Sequence, residues 1–345
     1  MAFSPIIKNW YSDNKRNLPW RQSSDPYKIW LSEIILQQTR VAQGLPYYER
    51  FISHFPDVHS LAEAEEEQVL KLWQGLGYYS RARNLHHAAR QVSHEMNGDF
   101  PGTAAGLKGL KGVGEYTAHA IASFCYNEPV AVVDGNVYRV LARYFGIDLP
   151  VNSTAGKKLF AGKAAEVLDK NDPATHNQAI MEFGALQCVP ANPDCENCPL
   201  SKECVAFQTD RVSDLPVKTK KNKVKRRFFN YLVALYDNKV ILQQRTGNDI
   251  WKNMYEFPLI ETSGPAEREE LQEKIRESSI LPDDDFIMEP YHEEALIHKL
   301  SHQHIHTRFW IIHCNSPLEK AVDREKVNEY PMPVLVANFV RELDF

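Results

Sequence analysis

Apolar and polar positions change their pattern once along the chain. Residues 1 to about 210 follow the pattern of helices joined by short Gly/Pro turns. In this region Asp25-Pro26 begins a predicted helix over Tyr27–Val41, because an acid suits the N-cap and proline suits the first helical position. Most neighbours of Glu33 in this helix are apolar. The N-terminal region is therefore predicted to be mainly α.

The rest of the chain has the pattern of strands. Phe228–Tyr236 and Val240–Gln244 are separated by Asp237-Asn238-Lys239, and together they predict a β-hairpin. The segment Val217–Phe229 holds seven Lys or Arg residues and no acid. Two interpretations of this segment stay open: a solvated linker between domains, or a linker that also touches phosphates.

Composition limits the class of protein. The chain has 345 residues, 43% of them hydrophobic, which is enough for two or three domains with buried cores. No apolar run approaches the length of a membrane span, and the N-terminus lacks the layout of a signal peptide. We therefore expect a soluble, cytoplasmic protein with no membrane partner. The net charge of −5 argues weakly against nucleic acid as a partner, but basic groups gathered on one face would outweigh it.

Four of the six cysteines fall in one proline-interrupted loop. Their spacing is Cys188-x6-Cys195-x2-Cys198-x5-Cys204, and the prolines between them prevent a regular helix. The loop must therefore be organised by what its sulfurs hold. Disulfides are disfavoured because nothing else in the chain indicates secretion. Four thiolates suit a structural zinc ion and a [4Fe–4S] cluster equally, so the chemistry of the cysteines leaves both open.

A second motif combines a glycine turn with a helix start. Gly112-Val113-Gly114 predicts a tight turn whose glycines allow positive φ, and a helix is predicted to begin directly after it. The free N–H groups and the dipole of that helix favour phosphate, so Gly112 and Gly114 are candidate phosphate-binding residues. Further along, the apolar run Val130–Val133 ends in Asp134 before another predicted helix. A carboxylate there serves as an N-cap, as a catalytic group, or as both.

Together these motifs resemble the endonuclease III superfamily of DNA glycosylases, with its helix-hairpin-helix motif, its Gly/Pro-rich loop with an aspartate and its four-cysteine loop. Within the superfamily the chain is similar to the MutY-type adenine glycosylases, and the resemblance covers essentially the whole chain. The matching segments of the N-terminal half include Leu18–Arg21, Ser32–Arg40, Trp73–Tyr79 and Asn177–Glu182. By this resemblance the four cysteines hold a [4Fe–4S] cluster.

The resemblance implies a role for each catalytic residue. Glu33 is the acid that protonates N7 of adenine, and burial would raise its pKa so that it stays protonated at neutral pH. Asp134 is the carboxylate that stabilises the positive charge of the oxocarbenium-like sugar. Tyr116 lies near the sugar, where bifunctional relatives have a lysine that forms a Schiff base, so the chain is expected to be monofunctional. Asn136 helps to position Asp134.

Other positions are implied to bind the substrate. Arg21 and Glu182 line the adenine pocket, while Trp20 is expected to serve packing. Gln38 and Tyr78 enter the duplex and hold the bases apart when adenine is flipped out. A core aromatic is the alternative for Tyr78, but the glycines near it favour an exposed loop.

The C-terminal domain resembles a Nudix fold that lacks the hydrolase chemistry. The best alignment of the metal-binding Nudix box places Ile280 and Leu281 where its paired glutamates belong. Leu300-Ser301-His302 matches the Phe-Ser-His loop with which the family reads 8-oxoguanine, with Leu in place of Phe, and Ser301 and His302 are the expected contacts. The histidines at 302, 304 and 306 alternate and could share a strand face. A metal site there is the weaker interpretation.

The sequence therefore predicts a DNA N-glycosylase that removes adenine opposite 8-oxoguanine or guanine from double-stranded DNA, acting as a nucleoid-associated monomer. The alternative is a bifunctional endonuclease III-like glycosylase/lyase for pyrimidine lesions. A Nudix hydrolase and a redox carrier are disfavoured, the first by the missing glutamates and the second because it leaves Glu33 unexplained. The predicted domains are a catalytic region over 1–210 (a six-helix module at about 24–130, and a cluster module from 1–23 and 131–210), a basic linker over 211–227 and a Nudix-like domain over 228–345.

Overall fold

The computed structural model describes residues 3–219, 224–278, 280–281 and 286–345. They form two compact units, one from the described residues of 1–63 and 84–220 and the other from those of 64–83 and 221–345. The segment 64–83, which lies within the predicted catalytic region, groups with the C-terminal domain. None of the helices in the described ranges is long and apolar enough to cross a membrane.

Helices dominate the chain before residue 210, which confirms the mainly α character predicted there. They are α1 (Phe3–Asn14), α2 (Pro26–Leu36), α3 (Val41–His54), α4 (Val58–Glu63), α5 (Glu66–Trp73), α6 (Ser80–Arg90), α7 (Ala104–Leu107), α8 (Glu115–Tyr126), α9 (Gly135–Phe145), α10 (Thr154–Val167), α11 (Pro173–Leu186) and α12 (Val205–Gln208). Helices α1, α9, α10 and α11 share one hydrophobic core, in which Ile7, Val140, Phe160 and Phe183 are buried. The N-terminal helix is thereby joined to helices more than a hundred residues away.

Helix α2 is buried on nearly all sides. It begins as predicted, with the side chain of Asp25 capping the helix and Pro26 in the first turn. It ends at Leu36, so the predicted extension to Val41 is wrong. The chain turns at Gln38, whose φ is 55°, before α3 begins. Apolar periodicity does not reveal this turn, because a second helix follows it within a few residues.

The glycine turn before α8 needs only one of its glycines for conformational reasons. Gly112 has φ of 78°, and a Cβ placed there would lie 2.6 Å from Cβ of Asn84. Gly114 has φ of −85° and is the N-cap of α8, so the expected positive φ is wrong for this residue. Helix α8 begins at Glu115, directly after the turn, as predicted.

The second unit is built on a sheet, consistent with the predicted α+β domain. Its strands are β1 (Lys225–Tyr236), β2 (Lys239–Ile241), β3 (Gln243–Gln244), β4 (Tyr255–Glu256), β5 (Leu259–Thr262), β6 (Phe286–Pro290), β7 (Leu296–Lys299), β8 (Gln303–Cys314) and β9 (Ala321–Asp323). The main sheet has the order β6-β8-β1-β2-β9, with β5 also on β1 and β7 also on β8. The predicted hairpin is confirmed, since Leu235 of β1 lies opposite Val240 of β2. The predicted extent of its second strand, to Gln244, is wrong, because β2 ends at Ile241 and β3 pairs with β4 in a separate two-stranded sheet.

A helix lies on each face of this sheet. Phe309 of β8 stacks on Phe339 of α14 (Val334–Glu342), with ring centroids 3.8 Å apart. On the other face Leu232 and Trp310 are buried together with Leu271 of α13 (Arg268–Ser278). Alternation along β1 and β8 therefore supplies both cores, as a two-sided sheet requires.

The predicted basic linker over 211–227 is not a single solvated segment. Leu215 is buried in the core of the first unit. Arg227 already belongs to β1 and makes a two-bond ion pair with Glu261, at 2.7 and 2.6 Å. This pairing corrects both interpretations for Arg227, which is neither solvated nor free to bind phosphate. Lys220, Lys221 and Lys223 lie outside the described residues.

Candidate active site

One cavity of about 160 Å³ in the first unit collects the predicted catalytic and adenine-pocket residues. They come from helices α2, α8, α9 and α11 and from the short turn Pro19–Arg21. The polar lining includes Arg21, Glu33, Tyr116, Asp134, Asn136 and Glu182. Six residues chosen from the sequence, spread over 162 positions (21 to 182), are thus brought to one place.

Glu33 is the buried acid of the cavity. Only 7% of the residue is exposed, and this burial raises the pKa of Glu33 to about 7. Tyr116 opposes the rise by donating its hydroxyl hydrogen to Oε2 of Glu33 over 2.6 Å. Burial keeps the pKa of the Tyr116 phenol well above its ordinary value, so the phenol remains a donor. A large share of Glu33 therefore carries a proton at neutral pH.

Asp134 is held as an acceptor beside Glu33. The backbone N–H of Val137 donates to its Oδ1 over 2.7 Å, and Nδ2 of Asn136 donates to its Oδ2 over 2.7 Å. Burial raises the pKa of Asp134, and these hydrogen bonds, with the positive charge of Arg139, oppose the rise. The residue is thus both the N-cap of α9 and a lining residue of the cavity, so the N-cap role is confirmed and does not exclude a catalytic role.

An ion-pair network forms the opposite wall. Arg21 donates to both carboxylate oxygens of Glu182, over 2.8 and 2.7 Å, and Arg16 donates to the same two oxygens, over 2.8 and 2.6 Å. Burial alone would raise the pKa of Glu182, but the two arginines outweigh it and lower that pKa to about 2. Sequence reasoning missed Arg16. Trp20 is buried with its edge toward Tyr48, the packing role expected for it, although it also lines the cavity.

Arg139 is a second residue that sequence reasoning missed. Its guanidinium donates to Oδ1 of Asn136 over 2.9 Å, to the carbonyl of Gly184 over 2.6 Å and to the carbonyl of Cys188 over 2.6 Å. The side chain therefore joins the residue that orients Asp134 to the first cysteine of the loop. Its place one turn of helix after Asn136 was the available signal.

The four cysteines of the loop line a single small cavity of about 30 Å³. All four are free thiols, and Nη1 of Arg143 lies 3.5 Å from Sγ of Cys188. Within the described ranges no group of three or more His, Cys, Asp or Glu residues is arranged to hold a metal ion. The shared cavity shows that the four sulfurs converge.

The predicted base-reading residues lie on exposed turns. Gln38 is exposed in the first unit, with the left-handed backbone described above. Tyr78 in the second unit is 46% exposed with φ of 48°, so the alternative of a core aromatic is wrong. Its hydroxyl lies 3.4 Å from Oγ of Ser301, which is itself exposed next to His302. Tyr78, Ser301 and His302 line one cavity of about 400 Å³ within the second unit.

Two further predictions concern the Nudix-like domain. Ile280 and Leu281, at the positions aligned with the Nudix glutamates, pack against the core beneath α13. Apolar side chains at these positions offer no oxygen ligand to Mg²⁺. His304 and His306 alternate on β8, and the ring of His306 stacks on Phe228 with centroids 5.0 Å apart. Leu300 closes the loop before β8 by donating its N–H to the carbonyl of Gln303 over 2.8 Å.

Comparisons with known proteins agree with this geometry. Residues 31–159 match the HhH-GPD superfamily of base excision DNA repair proteins, and residues 230–342 match a NUDIX domain. The chain is 34% identical over 308 residues to an adenine DNA glycosylase of Buchnera aphidicola subsp. Schizaphis graminum, covering 88% of this chain and 86% of the relative. It is 44% identical over 216 residues to an adenine DNA glycosylase of Mus musculus, covering 60% of this chain and 42% of the relative. A solved structure of a thermostable thymine-DNA glycosylase superposes with a TM-score of 0.56 and 28% identity, over 60% of this chain and 96% of that chain.

Proposed function

The chain belongs to the adenine DNA glycosylase family, and on that premise we propose that it removes adenine paired with 8-oxoguanine or guanine in duplex DNA and does not cut the strand. The observation that carries the proposal is the pairing of Glu33, whose pKa is raised to about 7, with the hydrogen-bonded carboxylate of Asp134 in one cavity. Two carboxyl groups kept in different protonation states suit glycosidic cleavage.

The proposed reaction uses the proton of Glu33. Transfer of this proton to N7 of adenine lets N9 leave with the electron pair of the bond to C1′. The carboxylate of Asp134, fixed by Val137 and Asn136, stabilises the positive charge that develops on the sugar. A water molecule then forms the new bond at C1′ and gives its proton to the carboxylate that Glu33 became in the first step, which restores the acid. The base is released as neutral adenine, and the sugar keeps its place in the strand.

The lining of the cavity also argues against cleavage of the DNA strand. A lyase step needs an amine that attacks C1′ and forms a Schiff base. The lining contains Arg16 and Arg21 but, among the described residues, no lysine, and the phenol of Tyr116 occupies the position beside Glu33. The alternative of a bifunctional pyrimidine-lesion lyase therefore lacks its nucleophile.

We assign recognition of the base opposite adenine to the second unit. Ser301 and His302 are exposed and offer a hydroxyl and an imidazole to the N7–H and O8 edge that distinguishes 8-oxoguanine from guanine. Tyr78 and Gln38 are exposed on turns with positive φ, where their side chains are available to enter a duplex. Gly112 and Gly114 are exposed at the start of α8 and would receive a phosphate.

The donor set of the cysteine cavity fits a [4Fe–4S] cluster. Four thiols that share one cavity, with the guanidinium of Arg143 beside Cys188, match the thiolate ligands and the charge of such a cluster. Cys188, Cys195, Cys198 and Cys204 would hold it. The cluster would supply the cross-link that a short proline-rich loop without a hydrophobic core of its own requires.

A substrate panel tests the proposal. Duplexes with A opposite 8-oxoguanine, A opposite guanine, and thymine glycol opposite A, together with free 8-oxo-dGTP, separate an adenine glycosylase from a pyrimidine-lesion lyase and from a Nudix hydrolase. We expect free adenine from the first two substrates, no borohydride-trapped adduct and no nucleotide hydrolysis. Release of thymine glycol with a stoichiometric trapped adduct would contradict the proposal.

A further inference from the structure

Helix α13 covers only half of one face of the main sheet. Leu232 and Trp310 are buried under it, at the ends of β1 and β8 that lead away from the Ser301 loop. The other half of this face, formed by the first residues of β1 and β8 and by β7, has no helix upon it in the described part of the chain. We call this half the open face.

The register of the strands gathers basic side chains on the open face. Residues 226, 228 and 230 of β1 lie beside residues 304, 306 and 308 of β8, and residues 297 and 299 of β7 lie beside 306 and 304. Residues in register share one face of a sheet. The basic and aromatic members are Arg226, Phe228, Lys299, His304, His306 and Arg308.

No acidic side chain occurs among the described strand residues of the open face. Among the described residues, the guanidinium of Arg308 contacts the carbonyl of Glu293, over 3.4 Å, and the ring of Trp310, at 5.9 Å. On the outer strand β7, Ile297 is 52% exposed. A chain of net charge −5 thus concentrates positive charge on one small surface, and such a surface attracts polyanions.

The arrangement of the aromatic rings indicates that the open face binds the backbone of a nucleic acid and not its bases. Phe228 and His306 stack on each other at 5.0 Å with 22° between their planes, and in the strand register Thr262 and Ile297 lie on the two outer sides of the pair, so each ring has a neighbour on both sides. Base stacking requires a ring face that is free. The exposed basic groups around the stack instead suit phosphates, which need charge and N–H donors without a flat platform.

We infer that the open face binds the phosphates of the DNA strand that carries the base opposite adenine. The inference rests on the proposed function, which places Ser301 and His302 against that base. Strand β8 leads from this loop directly onto the open face, and the four residues from His302 to His306 span about 13 Å. A strand held at the loop therefore passes within reach of Arg226 and Arg308 a few nucleotides away.

The test is the salt dependence of DNA binding by the full-length protein. Each phosphate contact removed lowers the slope of log K against log salt by about 1. The double variant Arg226→Gln/Arg308→Gln should therefore lower the slope by about 2, equally for duplexes with A·8-oxoguanine, A·G and an undamaged A·T pair. The matched control is Lys320→Gln/Arg324→Gln, which removes two charges near β9, one of them over the ring of Phe345 at 4.6 Å. The control should bind with the wild-type slope.

Single-turnover adenine release at saturating protein distinguishes failure of this inference from failure of the proposed glycosylase function. Both double variants should release adenine at the wild-type rate. An unchanged slope for Arg226→Gln/Arg308→Gln, or an equal loss in the control, overturns the inference while adenine release stands. Absence of adenine release from the wild-type protein would instead overturn the proposed function, whatever the slopes.

Discussion

The hydroxyl of Tyr116 donates to Oε2 of Glu33 over 2.6 Å, and this contact opposes the effect of burial on the pKa of that carboxyl. In the proposed function this phenol takes the place of the lysine of a lyase. One side chain would therefore orient the proposed proton donor and limit the rise of its pKa, while the described lining of the cavity contains no lysine.

The first prediction concerns the pH dependence of adenine release. Because the pKa of Glu33 is about 7, the protonated fraction falls as pH rises through 7, and the single-turnover rate should fall with it. Tyr116→Phe removes the hydrogen bond that lowers this pKa, so the descending limb should move to higher pH. Tyr126→Phe is the control, since that hydroxyl on the same helix donates to the carbonyl of Phe100. A limb unmoved in Tyr116→Phe would mean that Glu33 does not set the profile.

The second prediction concerns stability. Glu182→Gln leaves Arg16 and Arg21 without their shared carboxylate, which should cost about 3 kcal/mol of unfolding free energy at pH 7. The folded pKa of about 2 lies below the ordinary value of 4.5, so ionised Glu182 stabilises the fold above about pH 4.5. That contribution is lost as pH falls through the folded pKa. Urea unfolding between pH 7 and pH 3 should therefore show the difference from wild type shrinking in acid.

An exposed ion pair gives the comparison for this measurement. Glu166 pairs with Lys163 at the surface of α10, over 2.7 Å. Glu166→Gln should change the unfolding free energy by less than about 1 kcal/mol. An equal loss of unfolding free energy in the two variants would show that the Glu182 network stabilises the fold no more than an exposed ion pair does.

The third prediction concerns the cysteine cavity. Anaerobically purified protein should contain about four iron and four sulfide per chain. Cys198→Ser should lower both and weaken DNA binding, because the loop loses its cross-link. Cys314→Ser, a change in the second unit, should keep the full content. Stoichiometric zinc without sulfide in the wild-type protein would show that the loop holds zinc.

The fourth prediction concerns the opposite base. Ser301→Ala should reduce the preference for A·8-oxoguanine over A·G by about 1 kcal/mol, the value of one hydrogen bond. Ser316→Ala in the same domain should keep it. Single-turnover rates and affinities on the two duplexes measure the preference. An unchanged preference in Ser301→Ala would place lesion reading outside the 300–302 loop.

The sequence predicted the catalytic residues better than it predicted the structural residues around them. Glu33, Tyr116 and Asp134 each belong to a separate short motif that is visible in the local sequence. The structure brings the three residues together in one cavity. The end of α2 at Leu36 was not predictable, because a new helix resumes the apolar pattern within a few residues. The ion pair between buried Arg227 and Glu261 was not predictable either, because Arg227 lies in a run of basic residues with no acid among them.

Long-range partners account for the remaining omissions. Arg16 meets Glu182 across 166 positions, and Arg139 meets the carbonyl of Cys188 across 49. Local composition treats such arginines as surface charges, since Glu182 and Cys188 lie far from them in the chain and only Asn136, one turn before Arg139, marks a partner nearby. The grouping of residues 64–83 with the C-terminal domain has the same origin, because its contacts include the pair from Tyr255 to Glu67, over 2.6 Å.

The central claim is that Glu33 donates the proton that releases adenine, and the most direct test is single-turnover release by Glu33→Gln on an A·8-oxoguanine duplex. An amide cannot donate this proton, so we predict a rate at least about a hundredfold below wild type with DNA affinity nearly unchanged. Glu49→Gln, the same change at an exposed position of α3, should keep the wild-type rate. A Glu33→Gln rate within about tenfold of wild type would contradict the account.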